Sequence, residues 1–415
     1  MRTSRAWLGS LLLVTLLACQ AQPPADDGPS PRDLPDSSGA PAGMDQSLRD
    51  EALEVVEARE RALVDGDREA FLATVDPDEL GFSATQARWF DNLAQLPVTD
   101  VSYELGDEDV MTRVAGEGDL QLPVDFTMRL RGFDRRPVTQ RMVWTFVRSG
   151  DEALLVDDRN TQIDAQTGWT PAPWDLAHID VRRSGGILAV FDEDTAEHGT
   201  YVMSDLAEAT RVVRRHLPQW SGKFVAYGIS DVTAIDRMSA MTVDDTAAVA
   251  FPVMADARGP VVAYRFAVNP TVVGDVISRG EVFRHELVHV ALGTTDDRSP
   301  LWLVEGVAQY VARSTLPVDD RRRIAALELG GVVGRTLEAS QRFYTRDPLV
   351  NYALASLVCD YLATTRGEDV LWDLVRTFRT ARFSTWAESE DIVRRELGLS
   401  TGELSTQALA WARSA

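Results

Sequence analysis

The pentapeptide His285-Glu286-Leu287-Val288-His289 restricts this chain more than any other stretch. Two histidines four residues apart lie about one turn from each other on one face of an α-helix, whose period is roughly 3.6 residues, so both imidazoles can reach a single metal ion. Glu286 points about 100° round the helix from His285, where it meets a metal-bound water and not the metal. That is the position of a general base. A tetrahedral catalytic zinc takes three protein ligands and keeps one position open, so the pattern demands a third ligand from elsewhere in the fold.

Glu305 is the candidate, in Trp302-Leu303-Val304-Glu305-Gly306. Ser299 as N-cap, Pro300 at the first helical position, and Leu301, Val304, Ala308, Val311 and Ala312 at three- and four-residue steps predict a second helix. Glu305 falls inside its apolar face. A lone carboxylate there carries a large desolvation penalty, which coordination of a cation compensates. The first helix is expected to end at Leu292-Gly293, with Thr294 to Arg298 as the turn between the two. In a chain with five histidines the pentapeptide arises by accident on the order of once in several hundred proteins, so chance explains it poorly.

These residues resemble the gluzincin metallopeptidases: His-Glu-Leu-Val-His followed by Trp-Leu-Val-Glu-Gly-Val-Ala-Gln-Tyr is similar to the branch whose second helix reads Trp-Leu-x-Glu-Gly-x-Ala. The similarity is specific over residues 281 to 313 and weaker in the helical tail. It implies a zinc peptidase with His285, His289 and Glu305 on Zn²⁺, Glu286 as base and proton shuttle, and a peptide or protein as substrate. Many gluzincins carry an aspartate four residues after the glutamate ligand as partner for a ligand histidine; here that position is Gln309, which can accept an imidazole hydrogen bond but lacks the charge. No Gly-x-Met-Glu-Asn precedes the motif, which counts against the aminopeptidase branch. The oxyanion stabiliser is unassigned: Tyr352 and Tyr344 are the candidates, Tyr352 being chosen of the two, and an ordinary core tyrosine is the alternative reading of it. Metzincins would place the third ligand at Thr295, so Asp296 misses by one, and Gly293 to Asp297 echo the aspzincin Gly-Thr-x-x-Asp. The family also pairs extended substrate with an edge strand, expected here at Val261 to Val268 with Tyr264 and Phe266.

Residues 1–19 read as an export signal: Arg2, Arg5, an apolar run from Ala6 to Leu17, then Leu-Leu-Ala-Cys. That ending resembles the bacterial lipoprotein signal, which implies lipidation of Cys19 and a chain held on the extracytoplasmic side of the cell membrane by its acyl chains. Residues 20–44, dense in Pro, Asp, Ser and Gly, are expected to be a disordered tether. The formal net charge of −22 counts against nucleic acid as a partner, because that surface demands a basic face.

At 415 residues the chain is long enough for two domains. Helical patterns from Asp45 and near Arg68 to Val75 precede strand-like runs at Val98 to Leu105, Val110 to Val114, Leu120 to Leu130, Val138 to Val147 and Ala153 to Val156. Residues 45–162 therefore resemble, in pattern alone, the cone-shaped nuclear-transport-factor-like domains. A linker over 163–174, irregular at Thr170-Pro171-Ala172-Pro173, leads to residues 175–415, a zincin-like domain with a mainly helical C-terminal subdomain. The fold class expected is α+β. Cys359, in an apolar stretch, reads as a buried thiol. Two other functions stay open: a scaffold lipoprotein that keeps the motif without catalysis, and a ligand- or peptide-binding role centred on residues 45 to 160.

Overall fold

Alternation builds the first sheet. In the strand Leu120–Leu130, the side chains of Leu122, Val124, Phe126, Met128 and Leu130 are all buried, a two-residue period that gives one face to a core. The computed structural model describes residues 46–105, 113–114, 119–150, 152–160, 164, 169–239, 246–331 and 334–414. The expected signal, tether and Cys19 lie outside them, as does Val110 to Thr112 of one expected strand. Among the described residues no helix is long and apolar enough to cross a membrane.

The architecture is α+β. Strands β1 (Val98–Leu105), β2 (Arg113–Val114), β3 (Leu120–Leu130), β4 (Val138–Ser149) and β5 (Glu152–Asp157) form an antiparallel sheet ordered β1-β3-β4-β5, with β2 beside β3. Helices Gln46–Asp65, Arg68–Leu72 and Leu80–Gln95 close over it, and Ala52, Val56 and Leu93 join its strands in one core. Leu80–Gln95 is a helix with no counterpart in the expected pattern. Polar Gln86 and Asn92 sit on its buried side and break the apolar period. Asn92 is buried for a reason: its Nδ2 donates to the carbonyls of Trp174 (2.9 Å) and Ala177 (2.7 Å), and its Oδ1 accepts from the Ile179 N–H (3.2 Å). The linker it grips is not wholly irregular, because Pro173–Leu176 forms one helical turn with proline at its start, where the missing N–H costs nothing.

The second sheet comprises β6 (Ile179–Ser184), β7 (Ile187–Asp192), β8 (Phe224–Gly228), β9 (Ala248–Met254) and β10 (Val261–Val268), in the order β6-β7-β8-β10-β9. β7, the helix Gly199–His216 and β8 make a parallel crossover; β9 and β10 pair antiparallel. The expected edge strand is therefore misplaced. Val261–Val268 lies inside the sheet, with Phe266 fully buried against Phe224 and Phe283. Its run of β-branched and aromatic residues is that of a strand covered on both faces, and the edge belongs to β9. One sheet face packs the helical half through Ala250, Phe266 and Val268; the other meets the N-terminal core through Val249, Phe251 and Ala267. The buried ion pair Arg265–Asp134 (2.9 Å) crosses between the two halves.

The motif helix, Arg279–Leu292, is buried nearly all round and stops at Gly293, whose φ of 55° favours glycine. The second helix, Leu301–Arg313, begins at Pro300 as cap, one residue later than Ser299 would place it. The free N–H groups of Leu301 and Trp302 are taken by the carbonyls of Ala339 and Glu338 (both 3.1 Å), so a side-chain cap is not needed. Helices Val318–Leu329, Pro348–Arg366, Asp369–Thr380, Trp386–Leu397 and Thr401–Arg413 follow, and Cys359 is buried and unbridged. Gly306 lets Pro348–Arg366 approach: a Cβ there would stand 2.7 Å from Cys359 Sγ and 2.9 Å from Ala355 O. Gly306→Ala should destabilise the protein by about 1–3 kcal/mol through overpacking. An unchanged denaturation midpoint would show that the helix pair yields freely.

Candidate metal centre

Two consecutive helices bring the ligand candidates to one point. His285, His289 and Glu305 are each at most 2% exposed, and among the described residues they are the only group of three or more His, Cys, Asp or Glu found able to hold a metal ion. His285 Nε2 lies 3.1 Å from Glu305 Oε2 and 3.2 Å from His289 Nε2, and His289 Nε2 lies 3.6 Å from the same carboxylate oxygen. Three ligand atoms on a tetrahedral ion with bonds of about 2.0–2.1 Å stand about 3.3–3.4 Å apart. The observed triangle fits that spacing. A cation between the two imidazole nitrogens, 3.2 Å apart, and the carboxylate would be met by all three.

Partners behind the ligands aim them. His285 Nδ1 lies 3.0 Å from Gln309 Oε1, and the Gln309 amide donates to Glu281 Oε1 at 2.7 Å, which fixes its oxygen towards the imidazole. His285 must then donate from Nδ1, leaving the Nε2 lone pair for a metal. Glu281 also accepts from Arg313 Nε (2.7 Å), and Arg313 grips Glu328 with its other nitrogens (2.8 and 3.0 Å). A full negative charge thus stands one residue behind Gln309. Sequence reasoning missed Glu281 and Arg313, although each lies four residues from a singled-out residue on its own helix.

The two tyrosines differ in their contacts. Tyr344, on the short helix Arg342–Thr345, donates to Glu305 Oε1 at 2.7 Å and turns the other oxygen to the histidines. The Tyr352 hydroxyl is buried at the centre without a well-formed hydrogen bond, its ring 6.2 Å from that of His285. Glu286 is fully buried with no side-chain partner for either oxygen, and the backbone amide of Ala250 on β9 approaches it. Asp296 is buried near His289 but stands outside the ligand triangle, with one oxygen unpartnered. Of the other histidines, His216 is bound to Glu368 and Ser314, and neither His178 nor His198 joins the cluster.

Electrostatics follow from burial and pairing. Burial pushes Glu305 up, but the His289 and His285 imidazoles outweigh it and hold the carboxyl down at about 2. Burial pulls His289 down, and the Glu305 charge outweighs it, raising the imidazole to about 9. Burial raises Glu286 against the opposing pull of both histidines, and raises the Tyr352 hydroxyl well above its ordinary value. In the metal-free protein His289 therefore keeps its proton at pH 7 and releases it only as the pH climbs through about 9. Zinc binding at pH 7 should release about one proton from it. Calorimetry in buffers of different ionisation enthalpy checks this, and a buffer-independent heat would contradict it.

No protein-family model matches the chain, and no curated protein matches it. Its chemistry is read from its own residues.

Proposed function

We propose that the chain is a zinc-dependent peptidase of gluzincin type, held outside the cytoplasmic membrane by lipid on Cys19. The observation that carries the reading is the buried triangle of His285, His289 and Glu305 with Glu286 enclosed beside it. A zinc ion held by those three side chains would polarise a peptide carbonyl and acidify a water. Glu286, one residue along from His285, takes the proton of that water and passes it to the leaving amine. Its burial and raised pKa suit a group that must hold a proton for part of the cycle. The Tyr352 hydroxyl, protonated and close to Glu305, would donate to the oxygen on which charge develops. Extended substrate would pair with the β9 edge beside Glu286 and not with β10.

Purified protein should contain one zinc per chain, and chelation should abolish peptide cleavage that added zinc restores. Cleavage that persists without metal would refute the reading. Tyr352→Phe, which removes one hydroxyl, should lower kcat about 10²- to 10³-fold with little change in KM. Equal loss from Tyr344→Phe, but with weakened metal binding, would separate positioning of Glu305 from oxyanion stabilisation.

A further inference from the structure

The two histidines of the triangle are not served alike. His285 Nδ1 meets Gln309 at 3.0 Å, whereas His289 Nδ1 is buried and has no hydrogen-bond partner. A histidine that gives its Nε2 lone pair to a metal carries its proton on Nδ1, and that N–H almost always meets a carboxylate, a carbonyl or a water. Left unmet in the interior, it costs the full desolvation of the group.

An acceptor in the same condition stands just beyond the helix. The motif helix stops at Gly293, the short 3₁₀ turn Gly293–Thr295 follows, and Asp296 closes that turn. Asp296 is 6% exposed, and its Oδ2 is buried without a partner. An idle carboxylate oxygen in the interior is as costly as an idle N–H. The backbone on both sides is fixed: the Gly293 N–H donates to the His289 carbonyl, and the Ser299 N–H donates to the Asp296 carbonyl at 2.7 Å. The turn itself, and no pairing of the side chain, therefore holds the carboxylate inside.

The two groups feel each other. Burial pushes the Asp296 carboxyl up to about 7, and the His289 charge is the strongest influence that opposes it. Behind burial and the Glu305 and Glu286 charges, Asp296 acts on His289 in return. The other idle oxygens at the centre have different surroundings: Glu286 is approached by the Ala250 amide on the β9 edge, and the Tyr352 hydroxyl lies close to Glu305. Ser299 Oγ, fully buried at the end of the same turn and also without a partner, is a hydroxyl that can donate to the carboxylate and leave the imidazole as its other donor.

We propose that Asp296 is the positioning residue of the second histidine ligand: once a metal sits on Nε2, the Asp296 carboxylate accepts the His289 Nδ1–H, fixing the tautomer and the aim of the ring. A full negative charge then stands behind His289, where His285 has the neutral Gln309. The proposal rests on the zinc reading of the triangle, and its test separates the two. Zinc affinity of the full chain is measured by competition with a chromophoric chelator, and the histidine N–H signals are followed by NMR in zinc-loaded protein carrying ¹⁵N-labelled histidine. Asp296→Ala should weaken zinc binding about 10–100-fold. Asp296→Asn, which keeps an acceptor and the shape but loses the charge, should weaken it by less, and reports even where Asp296→Ala fails to fold. Asp297→Asn, at the exposed neighbour, should leave it unchanged. The Asp296 variants should shift or lose the Nδ1–H signal of His289 while that of His285 stays in place; general loosening of the fold would move both. If the unaltered chain takes up no zinc, the metal reading and this proposal fall together. If it takes up zinc, and both Asp296 variants bind as tightly or keep the His289 signal unchanged, this proposal alone is overturned. A loss as large as that from Glu305→Gln would make Asp296 a ligand and overturn it as well.

Discussion

Glu286→Gln should bind zinc and show no hydrolysis. Loss of a general acid–base group lowers kcat by about 10²- to 10⁴-fold, and the glutamine has the same shape in a site already enclosed on all sides. The fold should tolerate the change well. Burial makes the ionised carboxylate of Glu286 unfavourable, so a neutral amide removes a charge that the surroundings resist. Stability should be equal or higher while turnover collapses, a combination that simple structural damage does not produce. Turnover at the wild-type rate in a zinc-loaded variant would remove Glu286 from the chemistry.

Glu305→Gln should bind zinc far more weakly than the unaltered chain. The two imidazoles keep their positions on the motif helix, but the charge that draws them to one point is gone, together with the oxygen 3.1 Å from His285 Nε2 and 3.6 Å from His289 Nε2. Losing an outer partner of a ligand costs about 10–100-fold in metal affinity, so losing the ligand itself should exceed that range. The same substitution lowers the proton affinity of His289, because the Glu305 charge is what raises it. Competition titration with a chromophoric chelator measures the first effect. Affinity retained in Glu305→Gln but lost in Asp296→Asn or Asp297→Asn would move the third ligand to the turn after the motif helix.

Much of the site was legible because it is local. The spacing of His285 and His289 and the apolar frame round Glu305 are properties of single helices, and both helices lie within a residue or so of where periodicity puts them. Features that depend on pairing across the fold were not legible. Val261–Val268 looks like a strand from its residues, but which strand takes the edge is decided by the return of β9 antiparallel to it, which no local pattern encodes. Likewise Glu281 and Arg313 have helical spacing from His285 and Gln309, yet their relay exists only because the two helices lie side by side. Leu80–Gln95 went unseen because Gln86 and Asn92 face inward to hold partners distant in sequence.

Gln309, at the position where the gluzincins that the motif resembles carry an aspartate, is less of a loss than its neutrality implies. It orients His285 and hands the hydrogen bond on to Glu281, whose charge Arg313 balances. Burial of Glu281 is outweighed by Arg313, so its carboxyl stays below the ordinary range and remains ionised.

The central claim is that His285, His289 and Glu305 hold one metal ion, and anomalous scattering at the zinc edge from zinc-equilibrated crystals tests it most directly. A single strong peak is expected about 2.0–2.2 Å from His285 Nε2, His289 Nε2 and a Glu305 oxygen. Crystals with no peak there, and the three side chains bonded only to one another, would contradict it.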